Sequence, residues 1–184
     1  DVAPPYVAPP PSPLITGLDA QTSGADWTAR ALDFVASHGQ LLGGMQTSEL
    51  TDPRVTETGR VAVVSFGQRV AGLTVEDRRI AVTMDRRGNV RRVMSDWTPI
   101  VLPDGPDIGA DAAFSVARRH FKGAPAGLPV RVIWAPNAAT ATVAYRVPVA
   151  VIPLVSHYFV WVSARDGRVL HQRLAGRELL EVVP

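Results

Sequence analysis

The predicted fold is decided by two similar stretches of this chain, Met84-Asp85-Arg86-Arg87-Gly88-Asn89-Val90 and Ser163-Ala164-Arg165-Asp166-Gly167-Arg168-Val169. Each contains a glycine, which can take a positive φ at no steric cost and therefore favours a tight turn. A β-rich run comes directly before each turn, at Ile80–Met84 and at Tyr158–Val162, and a second run follows it. A strand, a tight turn and a returning strand make an antiparallel hairpin, so the sequence predicts two hairpins.

A helix is predicted upstream of each hairpin, at Trp27–His38 and at Asp111–Phe121, because apolar residues recur there at helical spacing. Ser23–Asp26 has the spacing of a capping box before the first helix. Gly39 and Gly123 stand where a left-handed residue is expected to end each helix. The predicted core faces consist of Trp27, Ala31, Phe34, Val35 and His38 in the first helix and of Ala113, Phe114, Ala117 and Phe121 in the second.

Each half of the chain has the same order, a helix followed by antiparallel strands, which predicts an α+β fold of two tandem modules. The Pro- and Gly-rich stretch Thr98–Pro106 is the predicted boundary. We assign residues 1–22 to an extended Pro-rich arm, 23–102 to the first module, and 103–184 to the second module with its C-terminal tail. The predicted strands are Val61–Phe66, Ile80–Met84 and Val90–Met94 in the first module and Val130–Trp134, Thr142–Val149, His157–Val162 and Val169–Arg173 in the second.

The composition of the 184 residues is that of a globular protein, with 46% hydrophobic and 20% charged residues and a formal net charge of only +2. No Cys is present, which excludes disulfides and thiolate metal sites. No apolar run reaches the roughly 20 residues of a membrane-spanning helix, so no membrane partner is predicted. The chain begins at Asp1 rather than Met. Removal of a signal peptide and a chosen boundary both account for that start.

Motifs of several enzyme classes are missing from the sequence. It has no His-Glu-x-x-His zinc helix, no Gly-rich phosphate loop and no Gly-x-Ser-x-Gly nucleophile turn. The four histidines lack the spacing of metal ligands, so no metal site or cofactor is predicted in this chain. A small hydrolase that uses His157 or His171 with Asp166 and a serine such as Ser156 or Ser163 stays open as an alternative. A small-ligand binder with a concave pocket is another.

Four arginines surround the first hairpin turn, and they are the first set of candidate partner-binding residues: Arg86, Arg87, Arg91 and Arg92. Proteins that bind single-stranded nucleic acid combine basic residues with aromatic residues on which the bases stack. No aromatic residues are interleaved with these four arginines. The sequence therefore predicts no nucleic-acid partner. A solvated hairpin end and a patch that contacts another protein are the two interpretations of this cluster.

Several stretches, taken in order, resemble the propeptide of a known protease family. Phe34–Gly43 resembles the helix and exit of the fungalysin/thermolysin-type propeptide module, and Val64–Val75 resembles its central signature, in which a β-strand ends in Gln and is followed by Gly and an apolar strand. Ile80–Val93 is similar to its final hairpin. Val143–Val147 and Phe159–Leu170 resemble a PepSY-type module, which usually follows the first.

This resemblance implies a non-catalytic prodomain of a secreted thermolysin-like zinc metalloprotease, with each module a helix on a curved antiparallel sheet in a cystatin-like arrangement. Prodomains of that family assist folding of the protease and block its cleft until they are cleaved. The implied partner is the catalytic domain of the cognate metalloprotease. Zinc is expected in that domain and not in this chain.

The acidic and apolar tail Arg177–Pro184 provides the second set of candidate partner-binding residues: Glu178, Leu179, Leu180, Glu181 and Val182. Thermolysin-like clefts accept such apolar side chains, and a glutamate of the tail could place a carboxylate near the metal. An edge strand or a linker is an equal interpretation of the tail. For the whole chain, the alternatives are a structural or protein-interaction module of a larger secreted protein and a free-standing protease inhibitor.

Overall fold

The computed structural model describes residues 14–51, 53–137, 140–151 and 156–175. They form two compact units, of which the first ends at Ile100 and the second starts at Val101. Each unit packs one α-helix on an antiparallel β-sheet, so the fold class is α+β, as predicted. Within the described residues, no helix has both the length and the apolar character needed to cross a membrane.

The first unit is a five-stranded antiparallel sheet in the order β1-β5-β4-β3-β2, with α1 and two short 3-10 helices. Its elements are β1 (Leu14–Ala20), α1 (Trp27–His38), the 3-10 helices Gly39–Leu42 and Thr47–Glu49, β2 (Arg54–Thr58), β3 (Val61–Val70), β4 (Leu73–Asp85) and β5 (Val90–Ser95).

The core of the first unit lies between α1 and one face of this sheet. Side chains alternate between the two faces of a strand, and Val64, Val82 and Val93, which lie side by side on β3, β4 and β5, are fully buried. From α1, the buried residues Ala31, Phe34 and Val35 pack against them; Trp27 and His38 are half-buried. The further buried members of this core are Leu42, Met45, Leu50, Phe66, Ile80, Met84 and Val90.

The N-terminal cap of α1 differs from the prediction. Asp26 is the cap, and its Oδ1 accepts a hydrogen bond from the backbone N–H of Ala29 at 2.8 Å. The predicted capping box at Ser23–Asp26 is therefore wrong. Ser23 instead donates its backbone N–H to Oδ2 of Asp33.

The C-terminal end of α1 also differs from the prediction. Gly39 is not left-handed: its φ of −54° and ψ of −31° continue the chain into the first 3-10 helix, and Gly43 is left-handed, at φ 82°. Gly39 has another reason to be glycine, since a Cβ there would collide with the backbone carbonyl oxygen of Met45.

Two strands of the first sheet were not predicted. Leu14–Ala20 was placed in the extended arm, but these residues pair with β5 as the edge strand β1. Arg54–Thr58 forms β2 at the opposite edge, paired with β3 from Arg54↔Ser65 to Thr58↔Val61. All five residues of β2 are exposed. Edge strands bury few side chains, so their sequences lack the alternating pattern that marks central strands.

The second unit places β10, β9 and β8 side by side, while β6 and β7 both pair with the other edge of β8. Helix α2 covers one face through Ala113 and Ala117, which are fully buried, and through the half-buried Phe114 and Phe121. The elements are α2 (Ala110–Phe121), β6 (Ala124–Pro125), β7 (Val130–Trp134), β8 (Thr142–Val151), β9 (Ser156–Ser163) and β10 (Val169–Leu174).

Helix α2 ends at Phe121, as predicted, but its left-handed cap lies one residue before the predicted position. Lys122 is the left-handed C-cap, at φ 50°, and its backbone N–H donates to the carbonyl of Arg118. Gly123 is required for packing, because a Cβ at that position would collide with Val149 and with the carbonyl oxygen of Ala150. The predicted role of Gly123 as the helix end is therefore wrong by one position.

Candidate partner-binding surface

The β4–β5 turn is held together by the side chain of Asp85. Oδ1 of Asp85 accepts the backbone N–H groups of Arg87 at 2.8 Å and of Asn89 at 3.1 Å. The backbone N–H of Gly88 donates to the carbonyl of Asp85 at 2.9 Å, and Gly88 has a φ of 86°. The turn therefore has the glycine-dependent geometry that the sequence predicted, and a single carboxylate fixes its backbone.

Asp85 also binds Arg91, which follows the turn on β5. Nε and Nη2 of Arg91 donate to Oδ2 of Asp85 at 3.0 and 2.7 Å, and Nη1 donates to Asp19 of β1 at 2.7 Å. The hydrogen bonds from Arg91 are the largest cause of the lowered pKa of the Asp85 carboxyl, and the backbone N–H donors of the turn add to them. Because Arg91 is bound by two carboxylates of its own unit, it is a structural residue of this hairpin.

Arg86 and Arg87 lie at the exposed end of the hairpin. Nε of Arg86 donates to the carbonyl of Gly59 in the neighbouring β2–β3 turn. Arg60 follows Gly59, so it lies at the same end of the sheet. These side chains line an open depression of about 350 Å³ whose lining residues are Arg60, Asp85, Arg86, Arg87 and Arg91. We call this depression the arginine end.

Arg60 was not among the predicted site residues. It reaches the arginine end because Val61, the next residue, pairs with Asp85, which brings the turns before β3 and after β4 together. The sequence signal that could have found it is the Thr58-Gly59-Arg60 turn directly before the β3 run. Consecutive hairpins place alternate turns at the same end of a sheet.

Arg92 does not belong to the arginine end. The β4–β5 register shifts between Thr83 and Met84, so that Arg92 lies opposite Thr83. Its side chain is therefore on the sheet face that α1 does not cover. Of the four predicted arginines, the structure brings Arg86, Arg87 and Arg91 together and separates Arg92.

The hairpin is fixed to the residues around α1. The hydroxyl of Thr22 donates to the carbonyl of Gly88 at 2.7 Å, and Nη1 of Arg30 donates to the carbonyl of Arg87 at 3.2 Å. A Cβ at Gly88 would displace the guanidinium end of the flexible Arg30 side chain, whereas the positive φ of Gly88 strains any other residue there. The backbone of the arginine end is thus held in place by contacts within the first unit.

A second basic depression, of about 650 Å³, lies at the end of α2. Its lining residues are Ser115, Arg118, Arg119, Lys122 and Gly123, of which the sequence singled out Gly123 alone, as a helix end. Cations in the last turn of a helix interact favourably with its dipole, whereas an anion there does not. These basic residues therefore have a structural reason to be at this end of α2.

The hydrolase alternative requires a histidine, an aspartate and a serine in contact. His157 and Ser163 lie at opposite ends of β9, paired with Ala150 and Ala144 respectively. Six steps along the strand, at about 3.3 Å each, place them about 20 Å apart. Asp166 belongs to the β9–β10 turn, where a hydrogen bond from Ser163 lowers the pKa of its carboxyl and the backbone N–H of Arg168 also donates to it. The structure therefore does not bring His157 to Asp166 or Ser163.

His171 lies on β10 and packs against two tryptophan rings. It stacks on Trp134 with ring centroids 4.7 Å apart, and its ring centroid is 5.2 Å from that of Trp161. Among the described residues, no group of three or more His, Asp or Glu side chains is placed to hold a metal ion. The tail residues Glu178, Leu179, Leu180, Glu181 and Val182 lie outside the described residues.

Comparison with known proteins gives structural similarity only at low identity. No protein-family profile and no curated sequence matches this chain. The C-terminal domain of YpeB from Bacillus megaterium matches with a TM-score of 0.43 and 12% identity, over 87% of this chain and 70% of that chain. A candidate lipoprotein from Clostridium difficile 630 matches with a TM-score of 0.31 and 11% identity, over 69% of this chain and 82% of that chain. At these scores neither similarity assigns an activity or a partner to this chain.

Proposed function

We propose that this chain is a non-catalytic prodomain that assists folding of a secreted thermolysin/fungalysin-like zinc metalloprotease and inhibits it. The proposal rests on the resemblance of Phe34–Gly43, Val64–Val75 and Phe159–Leu170 to the propeptide and PepSY-type modules. The partner is the catalytic domain of that protease, which carries the zinc. The prodomain acts outside the cell, by binding alone.

The observation that supports a binding function best is the arginine end. Arg60, Arg86 and Arg87 are all exposed there, on a backbone that Asp85, Thr22 and Arg30 hold in place. A surface that is ordered before binding loses less conformational entropy when the complex forms. Guanidinium groups form paired hydrogen bonds with carboxylates, so the arginine end fits an acidic surface of the catalytic domain.

Inhibition at nanomolar concentration requires about 12 kcal/mol of binding free energy. Interfaces of that affinity commonly bury about 1,600 Å². The arginine end has five lining residues, against about 20–30 residues on each side of such an interface. Its main contribution is therefore expected in the rate and orientation of association. Further contact area has to come from other surfaces.

The proposal is tested first by reading the natural frame beyond the codon for Pro184. A downstream His-Glu-x-x-His followed by a distal Glu supports it. The catalytic domain is then denatured and refolded with and without this chain in trans, and its peptidase activity is titrated with the chain. We expect a higher refolded yield and tight inhibition. A frame without such a protease, or a catalytic domain that the chain neither refolds nor inhibits, would overturn the proposal in favour of a structural module or a free-standing inhibitor.

The proposed role of the tail has its own experiment. Deletion of Arg177–Pro184 removes the apolar and acidic residues that are suited to the protease cleft. We expect weaker inhibition with unchanged assistance of refolding. Inhibition equal to that of the full chain would rule out the tail as the residues that block the cleft, and would leave the edge-strand or linker interpretation.

A further inference from the structure

The first sheet has one face that α1 does not cover, and two cross-strand rows of side chains form its centre. Both rows are continuous over all five strands in the pairing register. The first row is Leu14–Met94–Ala81–Ser65–Arg54, and the second is Thr16–Arg92–Thr83–Val63–Thr56. We call these ten residues the open face. At about 4.8 Å between strands, it is about 19 Å wide.

The open face is accessible along both edges. Leu14 is 55% exposed and Met94 is 43% exposed, although they lie opposite each other on β1 and β5. Arg92 and Arg54 are exposed, while Ala81 and Val63 in the middle of the sheet are half-buried between their neighbours. The exposed apolar pair Leu14 and Met94 therefore lies beside the half-buried apolar residues Ala81 and Val63. A group of neighbouring apolar residues like this is more typical of an interaction surface than of a surface that contacts only water.

The charge on the open face has one sign. Its ten residues include two arginines and no carboxylate, and Arg79 of β4 lies beside Ala81 on the same face, two residues along the strand. Within the described part of the chain, no hydrogen bond or ion pair engages the guanidinium groups of Arg54, Arg79 or Arg92. Asp85 lies at one end of the face, where Arg91 binds it.

Arg92 differs in this respect from its neighbour Arg91. Arg91 is bound by Asp19 and Asp85, whereas Arg92, the next residue of β5, is exposed and has no such carboxylate among the described residues. Stability of the fold therefore explains Arg91 and does not explain Arg92. The stability of the fold also does not explain why the exposed Met94 lies next to Leu14.

We propose that the open face is a docking surface for an acidic protein surface with an apolar centre, and that this surface belongs to the catalytic domain that the prodomain binds. This inference rests on the proposed function and names the part of the chain that supplies contact area beyond the arginine end. Apolar groups of the partner cover Leu14, Met94, Ala81 and Val63. Its carboxylates bind the guanidinium groups of Arg54, Arg79 and Arg92.

The chemistry of the face favours a protein over a nucleic acid or an anionic membrane. The ten residues include no aromatic side chain on which bases could stack. The arginines surround methyl and thioether groups, so a polyanion would leave the apolar centre without a partner. A formal net charge of +2 also gives the whole chain little general attraction for polyanions.

The experiment measures binding of the purified catalytic domain to the full chain by surface plasmon resonance. Two variants change the open face: Arg92→Glu at its basic part and Met94→Asp at its apolar part. Arg165→Glu is the matched control, since it reverses the same charge at an exposed hairpin turn of the second unit. Circular dichroism and thermal unfolding show whether each variant folds. A 20-nucleotide single-stranded DNA is the polyanion probe.

We expect each open-face variant to raise the Kd about tenfold or more, with little change for the control. Wild-type affinity in a folded Arg92→Glu variant would overturn the docking surface and leave the proposed function standing. A catalytic domain that does not bind the wild-type chain would overturn both. DNA binding that requires Arg92, with no effect of Arg92 on the catalytic domain, would assign the face to a polyanion and also overturn the inference.

Discussion

Arg91 donates two hydrogen bonds to one oxygen of Asp85, from Nε at 3.0 Å and from Nη2 at 2.7 Å. The other oxygen of Asp85 accepts backbone N–H groups of the turn between them. One carboxylate therefore joins β4, the turn and β5. Arg91 extends the connection to Asp19 of β1, so a single pair of residues organises one end of the first sheet.

The Asp85→Asn variant is expected to unfold at a lower temperature than wild type at pH 7. The pKa of Asp85 is lowered in the fold from its ordinary value of 3.8, mainly by the hydrogen bonds from Arg91. Because this pKa is lower in the folded state than in the unfolded state, the ionised carboxylate stabilises the fold above about pH 4. That stabilisation is lost as the pH falls through the pKa of the folded state. The difference in melting temperature between wild type and variant should therefore shrink below pH 4.

Thermal unfolding followed by circular dichroism at pH 7 and at pH 3 checks this prediction. Asp19→Asn is the control, because the Asp19 side chain is 73% exposed and, within the described part of the chain, accepts from Arg91 alone. It should change the melting temperature less than Asp85→Asn. Two results would contradict the role given to Asp85. One is an equal change in melting temperature for the two variants, and the other is a change for Asp85→Asn that is the same at pH 7 and at pH 3.

Tyr145 should ionise above the ordinary value of 10.0 for tyrosine. Burial raises the pKa of Tyr145, and the hydrogen bond that its hydroxyl donates to Asp107 at 2.9 Å raises it further. Because this pKa is higher in the folded state than in the unfolded state, the protonated phenol stabilises the fold below about pH 10. That stabilisation is lost as the pH rises through the pKa of the folded state. Tyr145→Phe should remove this phenolate step and cost about 1 kcal/mol at neutral pH. Absorbance at alkaline pH measures the phenolate ionisation, and denaturant unfolding measures the loss of stability. A high-pH ionisation step that persists in Tyr145→Phe belongs to another tyrosine and would contradict the assignment to Tyr145.

Phe34→Ala should destabilise the first unit strongly. Phe34 is 2% exposed in the core between α1 and the sheet, and its ring stacks on His38 with centroids 4.6 Å apart. Removing a buried phenylalanine leaves a cavity and costs about 3–5 kcal/mol. Leu41→Ala removes a side chain that is 70% exposed and should change the free energy of unfolding by about 0.5 kcal/mol at most. Urea unfolding compares the two; similar losses would mean that α1 does not pack on the sheet as described.

Gly39→Ala should destabilise the chain although the backbone conformation of Gly39 is ordinary for alanine. The new Cβ would collide with the carbonyl oxygen of Met45, and such overpacking costs about 1–3 kcal/mol. Gly59 offers the comparison, since a Cβ there has open space around it and Gly59→Ala should be close to neutral. Chemical denaturation of both variants is the measurement. A neutral Gly39→Ala would show that the chain beyond α1 follows a different path.

Arg87→Glu should slow association with the catalytic domain about tenfold at low ionic strength, because it reverses a charge on the arginine end. The difference from wild type should shrink as salt screens the exposed charge. Stopped-flow mixing at two salt concentrations measures both, with Arg165→Glu as the variant of equal charge change. An association rate and salt dependence that match wild type would exclude the arginine end from the encounter.

The sequence determined the elements whose signals are local. Helical spacing of apolar residues gave α1 at Trp27–His38 as observed, and the Gly88 and Gly167 turns gave both hairpins. These signals are local because a helix or tight turn is built from residues close in the chain. The roles of the two glycines after the helices were less predictable, since Gly39 and Gly123 are explained by contacts with Met45 and Val149 rather than by φ.

Only the tertiary structure decided which residues meet across strands. Pairing with β5 makes Leu14–Ala20 a strand, and the Val61↔Asp85 pair brings Arg60 to Arg86. The register shift between Thr83 and Met84 separates Arg92 from Arg91 and turns it toward the open face. A shift of one residue moves a side chain to the other face of a sheet. Sequence alone therefore found the arginines of this hairpin, and the register determined which of them bind carboxylates of the fold and which lie exposed on the open face.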